Sequence, residues 1–95
     1  MNLKELLKKS SVTLLDVREN DELINEGHVP GAISIPMNDI PSQLEIIRKF
    51  STPLIIFCRS GIRSEKIVNY LKNEGFKDVY NGGGFKEINQ LINSY

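Results

Sequence analysis

Residues 54–64 read LIIFCRSGIRS, and this stretch places the only cysteine of the chain, Cys58, where an apolar strand runs into a short loop that opens a helix. The apolar residues before the cysteine are typical of a strand buried on both faces of a parallel sheet. The loop then supplies Arg59, Gly61 and Arg63. A core cysteine gives no reason for two arginines and a glycine in the next five residues. We therefore interpret Cys58 as a reactive thiol and not as a small buried hydrophobe.

The surroundings of Cys58 favour its ionised form. A free thiol, with a pKa of about 8.5, is only partly ionised at neutral pH, and the thiolate is the nucleophile. The mouth of a helix favours an anion through its free N–H groups and its dipole, and Arg59 and Arg63 add two cations. Gly61 can take a positive φ that turns successive amides toward the sulfur. We expect a largely ionised Cys58 in a loop that cradles anions.

Helices and short apolar strands alternate along the whole chain, which predicts an α/β fold with a mostly parallel sheet. The predicted strands are residues 11–17, 32–35, 54–57 and 78–80. The predicted helices are residues 2–9, 19–26 and 41–49, one that follows the loop and ends at Gly75, and one from Phe85 to Tyr95. Ligands of such sheets bind at the carboxyl ends of the strands, so Asp16 and Arg18 should lie at the same edge as Cys58.

Composition narrows the class of protein. The 95 residues, 40% hydrophobic and 25% charged, are expected to form one domain over residues 1–95. Twelve basic residues balance twelve acidic ones, which argues against binding to nucleic acid or to an anionic membrane. No signal peptide or membrane span is visible at the N-terminus, so a cytoplasmic protein is expected. One cysteine and one histidine cannot furnish the usual four-ligand structural zinc site, and we expect neither a metal nor a cofactor.

Four segments resemble a single-domain rhodanese in their order and spacing. They are LLDVRE at 14–19, GHVPGA at 27–32, CRSGIRS at 58–64, and the stretch from Gly75-Phe76 to Gly82-Gly83. The resemblance covers nearly the whole chain. It implies a rhodanese-like three-layer sandwich, in which helices flank a central, mostly parallel sheet.

The same resemblance implies a thiosulfate sulfurtransferase. Cys58 would attack the outer sulfur of a donor such as thiosulfate, release sulfite and hold the sulfur as a persulfide. The acceptor would be cyanide or a thiol, and a thiol-carrying protein is a further candidate. The loop would bind the substrate through Arg59, Ser60, Gly61, Ile62 and Arg63.

Several side chains near the loop allow two interpretations. Arg59 could bind the anionic donor, which we favour, or lie solvated at the mouth of the pocket. Arg63 could face the substrate, or turn inward to pair with Asp16 or Glu19. Sulfur transfer through a thiolate leaves no obvious proton for Asp16 to manage, so we assign Asp16, together with Arg18, to structural support.

Two other motifs are assigned to turns. His28 lies beside a proline and a glycine, which favours a hydrogen-bonding turn residue over a catalytic one. The glycines 82–84 lack the lysine and the spacing of a P-loop, and we predict a plain turn there.

Two rival functions remain. Cysteine-dependent phosphatases use a Cys-x5-Arg loop, whereas this chain has Cys-x4-Arg, which makes a cradle better suited to one sulfur atom than to phosphate. A rhodanese-like binding module, or a redox or persulfide sensor with an exposed thiolate, is the other alternative. The intact cysteine loop favours catalysis.

Overall fold

The computed structural model describes residues 2–93, which form one parallel sheet with helices on both faces. The strands lie in the order β2-β1-β3-β4, where β1 is Thr13–Asp16, β2 is Ile33–Ser34, β3 is Leu54–Cys58 and β4 is Val79–Gly84. The helices are α1 (Leu3–Leu7), α2 (Asn20–Glu26), α3 (Leu44–Arg48), α4 (Ile62–Asn73) and α5 (Phe85–Asn93). The predicted α/β architecture is confirmed. Tyr95, predicted to belong to the last helix, lies outside the described residues.

Strand β3 divides the core into two layers because successive side chains point to opposite faces of a sheet. Leu54, Ile56 and Cys58 pack on the face covered by α3 and α4. Ile55 and Phe57 pack on the face covered by α1 and α5. All five side chains are buried, and each hydrophobic one contributes about 1.5–3 kcal/mol to the free energy of unfolding. Packing on both faces therefore holds the C-terminal end of β3, where Cys58 lies, firmly in place.

Both ends of α4 use glycine at a positive φ, as predicted for Gly61 and Gly75. The φ angle is +96° at each residue. At the C-terminal end, the Phe76 amide donates to the Leu71 carbonyl at 3.0 Å and the Gly75 amide donates to the Lys72 carbonyl at 3.1 Å. These two bonds form a Schellman cap. At the other end, Gly61 starts the helix directly beside the cysteine.

The glycine-rich segment is a strand, so the prediction of a plain turn at residues 82–84 is wrong. Strand β4 runs through all three glycines, and its register with β3 shifts between Ile56 and Phe57, which marks a β-bulge. A Cβ on Gly82 would lie 2.7 Å from Ile55 Cγ2 and 3.0 Å from Ile88 Cδ1. Glycine is needed here because the strand passes so close to the side chains of Ile55 and Ile88. The turn was predicted from glycine content alone, which does not reveal this close packing.

The α-helix predicted at residues 41–49 is shorter in the structure and follows a 3-10 helix. A 3-10 helix, Met37–Gln43, contains Pro41 in its interior, and the α-helix begins only at Leu44. Proline has no N–H to donate, which disfavours a continuous α-helix through this residue. Within residues 2–93, none of the helices has the length and apolar character needed to cross a membrane.

Candidate active site

Cys58 ends β3, and its sulfur is enclosed by the first turn of α4. The Gly61 amide donates to Sγ at 3.1 Å, and the Ser64 amide approaches Sγ at 3.4 Å. The Ser64 hydroxyl lies 3.4 Å from Sγ as well. The thiol is fully buried, at 0% exposure, so the expectation of an exposed thiolate is wrong. The loop is short, and it closes around the sulfur instead of presenting it to solvent.

The pKa of the Cys58 thiol is lowered from its ordinary value. Burial alone raises this pKa, since it disfavours the charged form. The Ser64 hydroxyl and the amides of Ser64, Ser60 and Gly61 donate hydrogen bonds that favour the thiolate and outweigh burial. From the sequence, we expected the charges of Arg59 and Arg63 to contribute to this shift. The leading causes are instead hydrogen bonds from the loop itself.

Two residues that were not predicted to belong to the site, Ser64 and Asn81, hold the loop in this form. The Ser64 hydroxyl donates to Asn81 Oδ1 at 2.7 Å, and the same oxygen accepts the Gly83 amide at 2.9 Å. Asn81 Nδ2 donates to the Gly61 carbonyl at 3.1 Å. Asn81 thus connects β4 to the loop at two points. Ser64 belongs to the quoted motif and could have been recognised, whereas no local pattern points to Asn81.

Each loop arginine is paired with a carboxylate of α2. Arg63 donates to Glu22 through Nη1 and Nη2, at 2.6 and 2.7 Å. These bonds lower the pKa of Glu22 to about 2 and raise that of Arg63. Arg63 does turn inward, but its partner is neither Asp16 nor Glu19. The Arg59 Nε lies 3.1 Å from Glu26 Oε1, in a pair that is more exposed.

Asp16 and Arg18 form a buried ion pair at the end of β1. The Arg18 Nε lies 3.1 and 3.0 Å from the two oxygens of Asp16, and Nη2 donates to Oδ2 at 2.8 Å. Nη2 also donates to the Gly27 carbonyl at 2.9 Å, which anchors the end of α2. The guanidinium stacks on Phe85, 3.8 Å from the ring centre. Its Nη1 has no hydrogen-bond partner among the described residues.

The other predicted residues take peripheral places. Ser60 and Ile62 are exposed at the mouth of the loop, and the Ile62 side chain is 65% exposed. The His28 carbonyl accepts a hydrogen bond from Asn89 at 3.3 Å, so its backbone ties the turn after α2 to α5. Ser60 acts on the sulfur through its backbone amide, which helps to lower the pKa of the Cys58 thiol.

Comparison with known proteins agrees with this architecture. The rhodanese-like domain family matches residues 2–91. The Bacillus subtilis protein YtwF, provisionally named a sulfurtransferase, is 41% identical over 83 residues, which cover 86% of this chain and 79% of YtwF. The thiosulfate sulfurtransferase GlpE of Pseudoalteromonas translucida is 35% identical over 82 residues, covering 85% of this chain and 76% of GlpE.

A solved structure gives the same result for the fold. The rhodanese-related protein of Thermoplasma volcanium is 32% identical and superposes with a TM-score of 0.72, covering 97% of this chain and 85% of that protein. The matches in sequence and in structure extend over most of each partner, and they include the strand, loop and helix that enclose Cys58. This chain belongs to the rhodanese-like domain family.

Proposed function

We propose that this protein is a sulfurtransferase that carries sulfane sulfur from thiosulfate, as a persulfide on Cys58, to cyanide or to a thiol. The observation that supports it is the single thiol held at the start of α4, with the Gly61 amide 3.1 Å from Sγ and a lowered pKa. Its relatives named as sulfurtransferases support sulfur transfer in general. The choice of donor and acceptor is our proposal.

In the first step, the Cys58 thiolate attacks the outer sulfur of thiosulfate. A new S–S bond forms to Sγ while the bond to the sulfonate sulfur breaks, and its electron pair leaves with sulfite. One thiolate and one dianion give a monoanionic persulfide and a sulfite dianion, so charge balances and no proton moves. Asp16 therefore needs no acid–base role, which fits its engagement by Arg18.

In the second step, the acceptor attacks the outer sulfur of the persulfide. Cyanide leaves as thiocyanate and restores the Cys58 thiolate, while a thiolate acceptor leaves as a persulfide. The chain has only this one cysteine, so no second thiol of the chain can resolve the intermediate into a disulfide. Covalent catalysis of this kind divides one difficult transfer into two easier ones and gives ping-pong kinetics.

The loop supports both steps through its backbone. The amides that donate to Sγ are positioned by Gly61 and Ser64, and a persulfide sulfur at the same place would be a comparable acceptor. Ser60 and Ile62 line the entrance, and Arg59 is the exposed cation beside it. Because Sγ is buried, side chains at this entrance must move apart before a donor can reach it.

The proposal is tested with the Cys58→Ser variant. Incubation of the wild type with thiosulfate, without an acceptor, should add one sulfur per chain to the intact mass measured under non-reducing conditions, and cyanide should remove it. The variant should fold normally, gain no mass and lose thiosulfate:cyanide transfer by several orders of magnitude. Transfer retained by a folded Cys58→Ser protein would falsify the persulfide mechanism. Intersecting double-reciprocal plots, with no persulfide in the absence of acceptor, would indicate direct transfer in a ternary complex instead.

The phosphatase alternative is disfavoured by the state of Arg63. A phosphatase loop needs its arginine free to bind phosphate oxygens, whereas both terminal nitrogens of Arg63 are engaged by Glu22.

A further inference from the structure

Helix α2 presents two carboxylates, one helical turn apart, to the two arginines of the cysteine loop. Glu22 pairs with Arg63, and Glu26 pairs with Arg59. Residues four apart lie on the same face of a helix, so both glutamates are directed toward the loop. The two positive charges that the sequence places beside Cys58 are thereby matched by two negative charges from a different segment of the chain.

The two pairs differ in how firmly they are held. Arg63 and Glu22 share two hydrogen bonds, and their side chains are 33% and 20% exposed. Arg59 and Glu26 share a single close contact between Nε and Oε1 at 3.1 Å, and the Arg59 side chain is 66% exposed. A single-contact pair near water is worth little, about 0.2–1 kcal/mol. The first pair can support the loop, whereas the second can open when a competing anion arrives.

We infer that Glu26 is a specificity-determining residue, which competes with an anionic sulfur donor for Arg59 and so makes the site discriminate against donors of high negative charge. This inference rests on the proposed sulfurtransferase function. Glu26 acts through its ion pair with Arg59, so it is a positioning residue for that arginine.

Charge arithmetic gives the direction of the effect. Near the loop, Arg59 and Arg63 are offset by Glu22 and Glu26, and the Cys58 thiolate adds one further negative charge. A dianion such as thiosulfate must therefore approach a site with no surplus of positive charge. Since Coulomb energy is proportional to charge, the electrostatic repulsion of a monoanionic donor at the same distance is about half that of a dianion, and a neutral reagent is not repelled.

The kinetic test uses Glu26→Gln, which keeps the shape of the side chain and removes its charge. At low ionic strength, KM for thiosulfate should fall about 1.5- to 5-fold, the range set by opening an exposed ion pair. KM for benzenethiosulfonate, a monoanion that also donates its terminal sulfur, should fall by a smaller factor, because its direct repulsion from Glu26 is weaker. Both changes should shrink in high salt. Glu26→Asp, which retains the charge, should stay closer to wild type.

The matched control is Glu45→Gln. Glu45 also pairs with an exposed arginine, Arg48, at 3.5 Å, and its loss changes the net charge of the protein equally. Arg48 bonds the Glu74 carbonyl at the opposite end of α4 from Cys58. Glu45→Gln should leave KM for both donors unchanged. If KM falls equally in Glu45→Gln and Glu26→Gln, then the net charge of the protein, and not Glu26, sets donor preference.

A binding measurement separates this inference from the proposed function. Sulfate and methanesulfonate, a dianion and a monoanion of similar size, are titrated into the wild type and Glu26→Gln while the amide NMR signals of the loop are followed. The variant should bind sulfate more tightly, with a smaller gain for methanesulfonate. If the wild type forms no persulfide but this gain appears, the proposed function fails, while the effect of Glu26 on anion binding at Arg59 stands. Equal affinities in both proteins, or no binding to either, overturn the inference.

Discussion

Removal of the Ser64 hydroxyl should raise the pKa of Cys58. The Ser64 side chain is fully buried, and its Oγ lies 3.4 Å from Sγ and 2.7 Å from Asn81 Oδ1. A hydroxyl has one proton to donate and can also accept. With a neutral thiol, it donates to Asn81 and accepts from the S–H. When Cys58 ionises, rotation of the hydroxyl directs the proton to the thiolate, and Asn81 Oδ1 keeps the Gly83 amide as its donor.

The magnitude follows from this one bond. A hydrogen bond to a charged group contributes about 1.5–3 kcal/mol, and the long contact to sulfur places this one at the lower end. At about 1.36 kcal/mol per pKa unit, Ser64→Ala should raise the pKa of Cys58 by about one unit. The Gly61 and Ser64 amides remain as donors to Sγ, so part of the lowering of the pKa should survive.

The assay is the ultraviolet absorbance of the thiolate as a function of pH. Cys58 is the only cysteine, so the difference from Cys58→Ser isolates its titration from that of the tyrosines. An equilibrium signal is preferable to alkylation because the alkylation rate of a buried sulfur depends on access of the reagent as well as on ionisation. Ser60→Ala is the control, since it removes an exposed hydroxyl from the same loop and leaves the backbone amides in place.

One result would refute the reasoning directly. If folded Ser64→Ala titrates at the same pH as the wild type, the hydroxyl does not stabilise the thiolate and the amides alone lower the pKa. A rise as large in Ser60→Ala would instead show that the pKa depends on the general shape of the loop. Chemical denaturation of both variants shows whether each is folded across the range of pH.

Two further predictions concern the support of the loop. Glu22→Gln should lower the free energy of unfolding at pH 7 by about 1–2 kcal/mol, a value reduced for partial exposure from what the change of pKa, from 4.5 to about 2, would give. The lowered pKa stabilises the fold fully above about pH 4.5 and loses its effect as the pH falls toward 2, so denaturation curves of variant and wild type should converge there; a constant difference would contradict the pairing. Gly84→Ala should cost about 1–3 kcal/mol and slow persulfide formation, because its Cβ would lie 2.6 Å from the Arg59 carbonyl and 2.8 Å from the Glu87 carboxylate. Wild-type stability and rate in Gly84→Ala would mean that β4 does not constrain the loop.

The strand, loop and helix around Cys58 could be predicted because all of their determinants are local. The apolar run of β3 needs only its own side chains to be recognised as a buried strand. Gly61 and Gly75 mark the two ends of α4 because other residues rarely adopt a positive φ. Such signals lie within a few residues of the feature they specify.

The partners of the loop could not be predicted in the same way because they lie far away in sequence. Glu22 is 41 positions from Arg63, and Asn81 is 17 positions from Ser64. Charged residues on a short helix are typical of any solvated face, so Glu22 and Glu26 carried no signal of their own. Their role appears only when α2 is packed beside the loop, where each glutamate pairs with an arginine. The hydrogen bonds that lower the pKa of the Cys58 thiol come from the loop itself.

Strand β4 explains why the site depends on contacts that look unrelated to chemistry. Its glycines let the strand lie against the loop, where Gly84 comes so close to the Arg59 carbonyl that any side chain would displace it. Asn81, which immediately precedes the bulge in β4, bonds to Gly61 and Ser64, two residues whose amides donate to the sulfur. A thiolate is stabilised by these donors only while they stay aimed at Sγ, and a short loop rich in serine and glycine cannot hold that shape alone. The loop around the nucleophile is therefore held by β4 through Asn81 and by α2 through its two glutamates. Substitutions in either element should alter sulfur transfer although they leave Cys58 unchanged.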